Sequence, residues 1–175
     1  MTAVAALPGD AALFRARAAI SAVADPEIPV LTLGDLGVIR GVAVAGDGVV
    51  EVTITPTYSG CPAMKVMELD LQLALAKAGF ADARIKTVLA PAWTTDWLSA
   101  EGREKLRAYG IAPPVGKAAQ GSSSRRALFG EEQAPACPLC GSGQTTKISE
   151  FGSTACKAQW RCKTCLEPFD AFKCI

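Results

Sequence analysis

The chain contains no histidine. Its absence rules out Ser-His-Asp triads, Cys–His pairs and histidine general bases, and also the two-histidine facial triad of non-haem iron. A ferritin-like di-iron site, which takes a Glu-x-x-His from each of two helices, is excluded with them. The sequence also has no G-x-x-x-x-G-K-[ST] phosphate loop and no strand-linked G-x-G-x-x-G. No apolar run reaches the roughly eighteen residues of a membrane span, and the Ala-rich start lacks the basic region that opens a signal peptide. Charge is nearly balanced, at a formal +1 over 175 residues, without a dense Lys/Arg stripe, so nucleic acid is not an expected partner. A stand-alone enzyme is disfavoured, and one modest domain plus a small one is what this length accommodates.

Cysteine, by contrast, is abundant and concentrated. Six of the seven cysteines lie between Cys137 and Ile175. Cys137 and Cys140 form one C-x-x-C and Cys162 and Cys165 another, about twenty residues further on, the spacing of a four-cysteine zinc site. Each C-x-x-C turn aims two thiolates at one point, and two turns supply the four soft ligands that tetrahedral zinc prefers. An iron-sulfur site or a disulfide pair is the alternative. A segment this short has little core of its own, so metal binding would supply much of its folding free energy. Cys156 and Cys174 read as buried thiols beside the knuckles; the sharper alternatives are additional ligands, or a redox pair if they approach within about seven Å. An odd cysteine count with paired C-x-x-C motifs fits a reducing cytoplasm.

Taken in order, residues 10–112 predict an α-β-β-α-β-α arrangement, helices on one side of a small sheet. Asp10 suits an N-cap, and Leu13, Ala16, Ile20 and Val23 repeat at helical spacing. Asp25-Pro26-Glu27 opens a mostly extended loop, in which Asp25, Glu27 and Asp35 cap helix ends or hold the loop by hydrogen bonds, with a functional surface as the alternative. Two β-branched runs, Val38 to Val44 and Val49 to Thr55, flank Asp47-Gly48, a hairpin signal. Val50, Val52 and Ile54 fall on the buried face of the second run; Glu51, Thr53 and Thr55 fall on the other. The turn T-P-T-Y-S-G-C-P follows, with Thr57 in it. Pro62 suits a first helical position, which puts Cys61 at or beside the N-cap of a long helix, where amide N–H groups and the dipole favour a thiolate. Met64, Met67, Leu71, Leu75 and Ala78 form that helix's core stripe. Ile85 to Leu89 is a third strand, Trp93 and Trp97 are expected lids over the core, and Ser99 caps a last helix. Residues 113–136 read as a flexible linker rich in Gly, Ser and Pro, and 137–175 as the ribbon, with strands near 145–151, 157–161 and 169–173 and a turn at Gly152-Ser153.

D-P-E-I-P-V, L-G-D-L-G-V-I, T-P-T-Y-S-G-C-P and the tryptophan-helix segment resemble the SufT-like family of iron-sulfur assembly proteins. With C-P-L-C-G-S, F-G-S-T-A-C-K and C-K-T-C-L-E-P-F-D-A-F-K-C, the chain is similar to the PaaD family, whose members accompany the multicomponent phenylacetyl-CoA ring epoxidase of bacteria. That epoxidase uses a di-iron oxygenase subunit and a reductase carrying flavin and a [2Fe-2S] cluster. The resemblance implies an α+β chain, a SufT-like domain joined by a linker to a zinc ribbon. It implies a non-catalytic subunit that helps assemble or repair those centres, with the oxygenase or reductase as partner. Cys61 would carry iron or a cluster transiently, with Asp25, Glu27 and Thr57 as further candidates on the functional loops, and zinc would be held by Cys137, Cys140, Cys162 and Cys165. A structural adaptor and a general iron-sulfur assembly factor are the alternatives, and a homodimer is open.

Overall fold

The computed structural model describes residues 9–58, 60, 62–115 and 133–174. The chain divides into two compact units, Met1–Ala92 and Trp93–Ile175.

The first unit begins with α1, Gly9–Ser21. Its buried side is carried by Ala16 and Ile20, both fully enclosed. The following loop, expected to be extended, contains a four-residue helix, α2, Leu33–Leu36. Thr32 caps it, accepting from the Asp35 amide at 3.0 Å, while Asp35 Oδ2 accepts from the Thr32 amide at 2.9 Å. Gly37, at φ 68°, ends it in the left-handed region that glycine enters without a Cβ clash. Strands β1, Ile39–Val44, and β2, Val50–Ile54, pair antiparallel. The Ala45 amide donates to the Val49 carbonyl at 2.8 Å, and Gly48 turns the corner at φ 82°. Helix α3, Met64–Lys77, crosses to β3, Arg84–Thr87, which lies parallel to β2. Sheet order is β1-β2-β3. Met67, Leu71 and Leu75 are the buried positions of α3, as the spacing predicts.

The second unit starts at Trp93, with a short 3-10 turn, Thr95–Trp97, and α4, Ala100–Ala108, whose Ser99 cap accepts from the Gly102 amide at 2.8 Å. Its sheet is antiparallel, in the order β4-β5-β6: β4, Thr145–Ser149; β5, Lys157–Cys162; β6, Pro168–Phe172. The tryptophan segment and α4, which the sequence groups with the first domain, pack within this unit. Trp93 is buried, with its ring 6.0 Å from that of Phe172, and Ala112 exchanges backbone hydrogen bonds of 2.9 Å with Asp170 and Phe172 along the outer edge of β6. The Ser99 cap identifies α4 as a helix, but does not say which unit encloses its buried residues, Gly102 and Leu106. Residues 116–132 of the expected linker lie outside the described residues.

Candidate metal centre

Two turns of nearly identical construction build the metal end of the ribbon. In the first, the Cys137 amide donates to the Ser142 carbonyl at 2.9 Å; in the second, the Cys162 amide donates to the Glu167 carbonyl at 3.0 Å. In each, the residue after the second cysteine adopts the left-handed conformation, Gly141 at φ 75° and Leu166 at φ 68°. The left-handed region costs an L-residue about 1–2 kcal/mol, so the second turn carries a strain that the first avoids. The turns are tied by a 2.8 Å hydroxyl bond between Ser142 and Thr164 and by the Lys163 amide donating to the Gln144 carbonyl at 2.8 Å.

This scaffold brings the Sγ atoms of Cys137, Cys140, Cys162 and Cys165 within 4.8 Å of one another. Cys137 Sγ lies 3.8 Å from Cys165 Sγ, and Cys140 Sγ lies 3.6 Å from Cys162 Sγ. Four thiolates on a tetrahedron at a Zn–S distance of about 2.3 Å are separated by about 3.8 Å, so the cage fits the ion. The amides of Thr164 and Cys165 donate to Cys162 Sγ at 3.3 and 3.5 Å. The Cys165 amide is the largest cause lowering the Cys162 thiol from 9.0 to about 6, and the Thr164 amide adds to it. The Glu167 amide pulls Cys165 down, but burial and the neighbouring thiols Cys162, Cys140 and Cys137 outweigh it and raise Cys165 to about 12. In the metal-free chain the cluster therefore combines one ready thiolate with one retained proton.

Cys156 and Cys174 are not in this group. Cys156 is buried, its Sγ 3.1 Å from Thr154 Oγ1; Cys174 is exposed, its Sγ 3.6 Å from Thr95 Oγ1. The structure shows no bond between them, and each lies against a different threonine.

In the first unit, Asp25 is buried and its Oδ1 accepts from the amides of Glu27 and Ile28 at 2.9 and 2.6 Å. These bonds fold the D-P-E-I segment back on itself, and the Asp25 amide closes it by donating to the Leu31 carbonyl at 2.8 Å. Glu27 and Thr57 are half-buried. Cys61 lies outside the described residues. Helix α3 begins later than its proline suggests: Ala63 is the N-cap and has no side-chain capping bond, and its carbonyl receives the first intrahelical bond, from Met67 at 2.9 Å. Cys61 thus precedes the cap by two positions in sequence. Thr55, expected on the open face of β2, is instead buried at 1% exposure, and its hydroxyl has no partner among the described residues. The strand pattern stops one residue too early to show this, because the chain turns at Pro56, itself buried.

Residues 121–173 match the family described as PaaD zinc beta ribbon domain, and residues 15–87 match the family described as iron-sulfur cluster assembly protein. The chain is 50% identical over 158 residues to an Escherichia coli K12 protein that is provisionally named as a component of 1,2-phenylacetyl-CoA epoxidase, covering 90% of each chain. It is 38% identical over 85 residues to an Fe-S protein maturation auxiliary factor of Porphyromonas gingivalis, covering 48% of this chain and 80% of that one. A domain of unknown function, DUF59, from Bacillus anthracis superposes with a TM-score of 0.52 at 23% identity, covering 56% of this chain and 93% of that one, which identifies a shared fold. No helix among the described residues is long and apolar enough to cross a membrane.

Proposed function

This chain belongs to the PaaD family of 1,2-phenylacetyl-CoA epoxidase components, and from that membership we propose that it is a non-catalytic maturation subunit of the epoxidase complex. It assists the assembly or repair of an iron-sulfur or di-iron centre in the oxygenase or reductase. The observation that carries this reading is the union, in one chain, of an iron-sulfur assembly domain over residues 15–87 with a zinc-ribbon domain over residues 121–173. The ribbon holds zinc through Cys137, Cys140, Cys162 and Cys165 and acts as a fixed structural element. Iron or a cluster is cargo, handled transiently by Cys61 in the cytoplasm, with Asp25, Glu27 and Thr57 shaping the loops of the assembly domain.

One observation favours a second reading, a structural adaptor. Asp25 and Asp35 already spend their oxygens on loop amides and a helix cap, which is scaffold work. Cys61→Ser separates the two readings in a strain whose growth on phenylacetate depends on the epoxidase. A maturation subunit keeps its association with the complex and loses epoxidase activity together with cofactor content. An adaptor keeps all three.

A further inference from the structure

We propose that the two knuckle leucines, Leu139 and Leu166, form a docking point through which this chain seats another subunit of the same enzyme, one presenting an apolar cup edged by carboxylates. The inference rests on the reading that the chain is an epoxidase subunit and names the surface that reading requires. Leu139 lies inside the first C-x-x-C turn and Leu166 directly follows the second, and each is 61% exposed. Their neighbours Cys140 and Cys165 share one four-sulfur cluster, so both leucines sit at the metal end of the ribbon.

The backbone makes Leu166 unusual. The two turns repeat the same amide-to-carbonyl closure five residues apart, and where the first has Gly141 the second has a leucine in the same left-handed conformation. Glycine would hold the second turn with less strain. A strained backbone in an over-determined turn points to a role for the side chain that causes the strain, and this side chain buries little within its own unit. Leu166 is the sole residue other than glycine with positive φ among the described residues. The turn is over-determined because the metal-ligand pair, the Cys162–Glu167 closure and the Arg161 Nε bond to the Leu166 carbonyl at 3.1 Å all hold it.

Charge selects the partner's chemistry. Lys163 is exposed within the second knuckle, and Arg161, also exposed, is anchored against Leu166 by that bond; Glu167, exposed next to Leu166, is the carboxylate they face, and the rim stays net basic. An apolar contact with a basic rim is complemented by an apolar cup with acidic edges, an arrangement that speeds and orients association.

The test titrates zinc-loaded full-length protein with each remaining epoxidase subunit from the same genome, in wild type and in Leu166→Gly, Leu139→Ser and Ile148→Ser. Ile148, exposed at the far end of β4 from the knuckles, serves as the control. Leu166→Gly is expected to keep its zinc, to hold or raise the ribbon's unfolding midpoint, and to weaken subunit binding by about tenfold or more, as loss of an apolar anchor does. Leu139→Ser weakens binding in the same sense, Ile148→Ser does not, and added salt weakens the wild-type complex. Leu166→Gly binding as tightly as wild type overturns the docking surface. Loss of self-association in Leu166→Gly without loss of subunit binding assigns the leucines to a homodimer and also overturns it. If wild type binds none of the subunits, the subunit reading itself fails.

Discussion

The first unit closes around fully enclosed aliphatic side chains, among them Ile20, Leu31, Leu33, Ile54, Leu71 and Leu75. The ribbon's core cluster consists of Ala112, Ala158 and Ala171, the rings of Trp160 and Phe169, and the thiols Cys137 and Cys162. Alanines and thiols remove little apolar surface from water, at about 25 cal/mol per Å². The first unit therefore has a core of large aliphatic side chains, whereas the second buries Leu98, Leu106 and Ile111 outside the ribbon strands, and the cluster beside the four-cysteine cage contains no large aliphatic side chain. The contrast separates the four-cysteine cage of the ribbon from a first unit whose buried core is aliphatic.

Metal removal sharpens this contrast most. Structural zinc is worth about 10–16 kcal/mol in zinc-finger peptides near neutral pH. A strong chelator, or Cys162→Ser, is expected to collapse the amide NMR signals of β4, β5 and β6 while leaving those of β1, β2 and α3 in place. Loss of both sets together would break the comparison. The next effect is the converse. Leu71→Ala in the core of the first unit should cost about 2–5 kcal/mol, lowering that unit's unfolding midpoint while zinc content stays unchanged.

Acidification acts on the ribbon's thiols more gently. In the metal-free chain Cys162 lies at about 6 and Cys165 at about 12. Near neutral pH zinc finds Cys162 ionised and must displace the Cys165 proton, so affinity rises with pH. As pH falls through about 6, Cys162 takes up a proton as well, and affinity falls more steeply. A chelator competition run between about pH 8 and about pH 5 reads this as a bend in the slope; a constant slope would contradict the assignment. The smallest effect belongs to Thr55. Its buried hydroxyl has no partner among the described residues, so Thr55→Val should raise the first unit's stability by about 1 kcal/mol, measured by denaturant melting.

Much of this arrangement is legible in the residues, because the relevant signals are local. Two C-x-x-C turns specify the four-sulfur cage, Asp47-Gly48 specifies the β1–β2 turn, and the spacing of Met67, Leu71 and Leu75 specifies the buried side of α3. The helix at Leu33–Leu36 was also within reach: T-L-G-D is a capping-box pattern, and the geometry of Thr32 and Asp35 fulfils it. What the residues do not reveal is tertiary choice. Trp93 could lie over either sheet, and its contact with Phe172 follows from the backbone pairing of Ala112 with β6, a pairing between segments far apart in sequence. Thr55 alternates outward by strand parity but is buried where the strand ends, and the start of α3 depends on where the hydrogen-bond ladder begins, two residues beyond its proline.

The central claim is that the ribbon's metal and the assembly domain's cargo are separate. The measurement that tests it most directly is zinc, iron and acid-labile sulfide content, with an absorption spectrum, for wild type and Cys61→Ser purified without oxygen. The account predicts stoichiometric zinc in both proteins, with iron and sulfide present in wild type and lost in Cys61→Ser. Iron in place of zinc in both, or zinc lost on substituting Cys61, would contradict it.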